Sequence, residues 1–189
     1  MFSWPSRASL LDYAYDRESA SLSRDALVGV LEDLLAGGAT GRVNVVAHSV
    51  GTMLTAQTRH ELCRRRGDYA ADRVGAIVLA SPDIDMDAFA AAIPGMGPPA
   101  AKITVVTAID DRALAVSQIV NGGTVRVGAA QRTQLEKLGL RVIDASLKGS
   151  GILNHDLFMS DPGIRQAIHG AARDCGGFWG CGTVTPAER

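Results

Sequence analysis

Three short runs, apolar on both faces, constrain this chain more than any other feature. They span residues 42–47 (Arg-Val-Asn-Val-Val-Ala), 74–80 (Val-Gly-Ala-Ile-Val-Leu-Ala) and 103–108 (Ile-Thr-Val-Val-Thr-Ala). A strand rich in Val and Ile on both sides must be covered from above and below, which is the condition of a parallel sheet between helices. A weaker fourth strand is predicted at 140–144, and residues 2–4 read as the stub of a fifth.

Helical patterns fill the intervals. Over 23–36, Leu27, Val28, Leu31, Leu34 and Leu35 recur on one helical face; Ser21 or Ser23 is placed to cap the start, and Gly37-Gly38 the end. A second helix is expected over 50–66, stopped by Gly67, with Arg64, Arg65 and Arg66 favourably placed in its last turn. Shorter helices are expected over 85–92, 112–120, 133–138 and 162–173, and the Pro- and Gly-rich stretch 93–101 reads as a loop. Strand–helix alternation makes this an α/β chain. Its 189 residues suit one domain, taken as 1–173, followed by a flexible Gly-rich tail over 174–189.

The chemistry concentrates at Ala47-His48-Ser49-Val50-Gly51, which follows a strand and opens a helix. This is the G-x-S-x-G nucleophile elbow with Ala in its first position. The serine of such an elbow sits on a strained turn, so the residues two before and two after it must be small. The turn also sets the hydroxyl at a helix N-terminus, where developing negative charge is favoured. Serine needs a base to take its proton. In this architecture the acid and the histidine follow in the order Ser, Asp, His. Asp110-Asp111 comes directly after the third strand, and His155 lies in the loop after the fourth. Both are at carboxyl ends of strands, where open α/β sheets carry their sites. The residues alone leave Asp110 and Asp111 open as the acid.

The chain resembles a bacterial α/β-hydrolase family of unknown function. The likeness is carried by Phe2-Ser3-Trp4-Pro5-Ser6, Tyr15-Asp16-Arg17-Glu18-Ser19, Ala47 to Gly51, Pro82-Asp83-Ile84-Asp85, Asp110-Asp111-Arg112-Ala113-Leu114 and Asn154-His155. It implies an α/β-hydrolase fold of three layers, with a mostly parallel sheet of four to five strands lacking the N-terminal strands. It also implies Ser49 as nucleophile, Asp111 as orienting acid, His155 as base and the Val50 N–H as oxyanion donor. Asp111 is preferred to Asp110 because Leu114 supplies the aliphatic residue that commonly stands three positions after such an acid. Family members are longer before the Phe-Ser-Trp-Pro-Ser motif, with a strand and a His-Gly loop that gives a second oxyanion donor. The expectation drawn here is a truncated gene product or a misplaced start. One missing donor costs about 10²–10³ in rate, and the strand ending at Ala47 becomes an exposed edge that invites a homodimer.

The expected activity is that of a serine esterase on a small acyl compound, or acyl transfer to an alcohol through the same residues. The alternative is a catalytically impaired remnant, or a module that dimerises through the bare edge. His48, Asp83 and Trp4 are candidate pocket residues, although His48 also suits a packing role, Asp83 and Asp85 suit helix caps, and Asp83 is a substitute acid. The aliphatic stretch 89–99 suits an acyl-binding lid. No cofactor or metal is called for: Arg64 stands where His60-Glu61 needs a second histidine for zinc, and no phosphate-binding glycine loop occurs. A net charge of −1 argues against nucleic-acid binding, and no long apolar run spans a membrane. Without a visible signal segment the default compartment is cytoplasmic. Cys63 reads as a helix core residue, and Cys175 and Cys181 as a pair able to bridge only after export. With 47% apolar and 21% charged residues, a packed core is expected.

Overall fold

The computed structural model describes residues 1–7, 12–37, 42–67, 73–96, 102–146 and 155–174. The expectations for the tail, for Cys175 and Cys181, and for Asn154 fall outside them. Helices α1 (Tyr13–Leu22) and α2 (Arg24–Ala36) precede strand β1 (Val43–His48) and helix α3 (Val50–Arg66). Strand β2 (Val74–Ala80), helix α4 (Met86–Ala92) and strand β3 (Ile103–Thr107) come next. Helices α5 (Arg112–Val120) and α6 (Arg132–Glu136), strand β4 (Arg141–Asp144), and helices α7 (Leu157–Ser160) and α8 (Pro162–Asp174) complete the order.

The four strands form one parallel sheet in the order β1-β2-β3-β4. Central β2 is buried along its whole length, as its two-faced apolarity requires. Its side chains alternate between two cores. Ile77 and Leu79 join Val28, Leu31, Met53 and Leu62 of α2 and α3 on one face. Val78 and Ala80 join Leu157, Ile164 and Ile168 of α7 and α8 on the other. Helices therefore flank the sheet on both sides in three layers.

Residues 2–4 form no strand. A strand exists only as part of a ladder, and here Trp4 packs its ring against Gly51 instead, where an added Cβ would lie 3.1 Å from the indole. The α2 stripe buries Val28, Leu31 and Leu35 but leaves Leu34 44% exposed. Ser23 stands at the α2 N-cap without capping it, because its hydroxyl donates to the Ser19 carbonyl at 2.9 Å. Gly67 does end α3, at φ 55°, with its N–H on the Cys63 carbonyl at 2.8 Å. Of the stretch read as a loop, Ile93–Met96 is a 3₁₀ turn. Among the described residues, no helix is long and apolar enough to cross a membrane.

Candidate active site

Ser49 occupies the single residue between β1 and α3, with φ 51° and ψ −127°. A positive φ is costly for any residue with a Cβ and persists only when its surroundings enforce it. Here the enforcement is explicit. The Ser49 N–H donates to the Ala80 carbonyl of β2 at 3.0 Å, and the Ser49 carbonyl accepts from the Thr52 N–H at 3.0 Å and the Thr52 hydroxyl at 2.5 Å. Val50 follows as the first residue of α3, so its N–H has no partner within the helix. Ser49 thus adopts a strained strand-to-helix turn at the carboxyl end of β1.

Asp111 and His155 are brought together. His155 Nδ1 lies 2.8 Å from Asp111 Oδ2, with the carboxylate fully buried and the imidazole 21% exposed. An ionised carboxylate only accepts, so Nδ1–H donates and Nε2 is left with its lone pair. The other oxygen, Oδ1, accepts the Leu114 N–H at 3.1 Å and caps α5. Asp111 is thus both a helix cap and the partner of the imidazole, with one oxygen for each. Asp111, one of the two carboxylates left open by the sequence, contacts His155 directly.

The imidazole of His155 also lies against the elbow. Its ring centroid is 4.6 Å from that of His48, the residue preceding Ser49. His48 stacks on Phe158 at 4.3 Å, and its Nε2 donates to the His155 carbonyl at 2.9 Å. Burial, reinforced by repulsion from His155, pushes the His48 pKa down to about 4, so this ring stays neutral near pH 7. His48 is a brace for the loop that carries His155. Among the described residues, Ser49 Oγ and His155 Nε2 are not hydrogen-bonded to each other; catalytic contacts of this kind are commonly long or misaligned until substrate is in place.

Asp83 caps none of the described helices. Asp85 caps α4, accepting the Ala88 N–H at 2.9 Å. Asp83 is 3% exposed and accepts from Arg126 Nε at 2.7 Å, Ser117 Oγ at 2.6 Å and Tyr13 OH at 2.6 Å. With both oxygens so committed, it does not serve as a substitute acid. The network ties α1, the end of β2, α5 and the Arg126 segment together directly behind the elbow, where the Asp83 N–H reaches the Ser49 carbonyl at 3.4 Å. Tyr13, Ser117, Arg126 and Phe158 did not stand out in the sequence: no local spacing links residues so far apart. Trp4 lies over Gly51, its indole nitrogen buried and unpartnered. Among the described residues, no group of three or more His, Cys, Asp or Glu side chains is arranged to hold a metal ion.

Compared with known proteins, residues 1–172 match the model of a family described as "Alpha/beta hydrolase of unknown function (DUF900)". No curated protein and no solved structure matches the chain.

Proposed function

We infer a serine esterase from one premise: the chain belongs to this α/β-hydrolase family of unknown function. The observation that carries the reading is the buried Asp111 carboxylate on His155 Nδ1, at the same sheet end as an elbow serine held at φ 51°. In this reading Ser49 Oγ attacks the acyl carbonyl while His155 Nε2 takes its proton. Asp111 holds the imidazole in the tautomer that leaves Nε2 basic and stabilises the imidazolium that forms. The Val50 N–H and the N-terminal end of α3 stabilise the oxyanion. The imidazolium then protonates the departing alcohol, and water attacks the acyl-enzyme by the same route in reverse. An alcohol replacing water turns the same cycle into acyl transfer.

A fluorophosphonate probe and a short p-nitrophenyl ester test the reading. Labelling and ester cleavage that both disappear in Ser49→Ala support it. A folded wild-type protein that neither labels nor cleaves refutes it.

A second reading rests on β1. Among the described residues this strand has β2 as its sole neighbour, and Val46 on it is 50% exposed. An unpaired strand edge is a template for association, so this reading makes the protein a homodimer joined edge to edge. Sedimentation over a hundredfold range of concentration tests it, and a monomer throughout rejects it.

A further inference from the structure

A cavity of about 470 Å³ lies between α1, α3 and α4. It begins at Met53, one helical turn after Ser49, and follows α3 to His60 and Glu61, a run of about 10 Å at 1.5 Å per residue. Its inner wall is apolar, formed by Met53, Ala56, Ile84 and Phe89. That lining accepts a hydrocarbon chain but gives it no polar anchor.

The polar anchor is on α1. Arg17 lines the cavity, and its guanidinium is only half used. One nitrogen donates to Asn121 Oδ1 at 2.9 Å, another points at the Met53 sulfur at 3.3 Å, and the Tyr13 ring lies 5.8 Å away. A thioether is a weak acceptor and an amide is neutral, so among the described residues no anion balances this partly buried cation. The cavity's own carboxylates do not do so. Glu61 is held by Arg64 and Arg65, which depress its pKa to about 2. Asp85 is turned to the α4 N-terminus. The other arginine of the wall, Arg24, pairs with Asp25 at 3.2 Å. Among the described residues, Arg17 therefore differs from its neighbours as a cation at the cavity's apolar wall without a counter-charge. A planar fork of donors of this kind suits a carboxylate or a phosphate.

We propose that this cavity binds an aliphatic chain bearing one anionic group, carboxylate or phosphate, which Arg17 receives. Resting on the hydrolase reading, this makes the substrate an anionic amphiphilic ester and not a neutral one. Arg17 sits inside the Tyr15-Asp16-Arg17-Glu18-Ser19 segment, a sequence feature that the catalytic residues leave unexplained.

The test is binding without turnover. Full-length Ser49→Ala protein is titrated in a calorimeter with octanoate, octyl phosphate and 1-octanol. At least one anion is expected to bind ten times or more tightly than the alcohol, and the stronger of the two identifies the head group. Adding Arg17→Gln removes that preference, and Arg17→Lys recovers part of it. Equal binding of 1-octanol, or an anion affinity unchanged in folded Arg17→Gln, overturns the proposal. Should Arg17→Gln fail to fold, Ala88→Phe at a residue of α4 that also lines the cavity is expected to fill it and abolish binding of all three ligands; undiminished octanoate binding there places the ligand elsewhere and also overturns it. Fluorophosphonate labelling of the wild type reads the hydrolase assignment separately. Labelling without anion preference refutes the substrate class alone, and anion binding without labelling refutes the esterase alone.

Discussion

Replacing His48 by glutamine should flatten the acid side of the stability curve. The folded protein disfavours protonated His48, whose pKa falls from 6.5 to about 4, chiefly through burial. On acidification the unfolded chain therefore takes up this proton first. The neutral ring's contribution is complete above pH 6.5, is lost as pH falls toward 4 and changes no further below that. At 1.36 kcal/mol per pH unit, the full loss is about 3 kcal/mol, of which about 2 kcal/mol is gone at pH 5. Glutamine has no titrating group, and its amide reaches the His155 carbonyl much as Nε2 does at 2.9 Å. It gives up the stacking on Phe158, about 1 kcal/mol. The variant should thus be less stable than wild type at pH 7 and equal or better at pH 5. Urea unfolding followed by circular dichroism at both pH values reads the difference directly. Equal losses in the two proteins between pH 7 and pH 5 would mean that His48 is not held neutral by the fold.

Three further outcomes follow from the contacts described. Asp111→Asn keeps a cap acceptor for the Leu114 N–H but favours the wrong imidazole tautomer; the esterase reading expects kcat to fall by about 10⁴ with the melting temperature nearly unchanged, measured by ester hydrolysis beside a thermal melt. Arg126→Met strands the Asp83 carboxylate in a site where both partners are almost wholly buried; a loss of about 3–5 kcal/mol in urea unfolding is expected, and a loss under 1 kcal/mol contradicts the account. Gly128→Ala places a Cβ 2.8 Å from the backbone at Ser81 and Pro82, so overpacking should cost about 1–3 kcal/mol, read as a lower urea midpoint at unchanged slope.

The two inner strands were legible because burial there is complete. Strand β2 and helices α3 and α5 span the residues the sequence pattern places them on, with Gly67 ending α3. Helix α1 was not legible. Its sequence, YAYDRESASL, has no apolar stripe, and it buries only Ala20. It is held by tertiary polar contacts, Tyr13 on Asp83 and Arg17 on Asn121, across separations of 70 and 104 residues. Period and propensity see only neighbours along the chain. The same limit explains the site. Ser49, Asp111 and His155 stood out in the sequence because their order and strand-end positions are local signals, whereas the Arg126 partnership that fixes Asp83 leaves no local trace. Residues 2–4 had the composition of a strand, but composition supplies no neighbour to pair with.

Asp111 works with both oxygens, one on the imidazole of His155 and one on the first turn of α5. The start of a helix and the placement of an imidazole are therefore both set by one side chain. An engineer who lengthens this residue to glutamate to move the imidazole also unseats the helix, and one who reseats the helix with serine releases the imidazole. Tuning and architecture share one lever here, so the two have to be changed together or not at all.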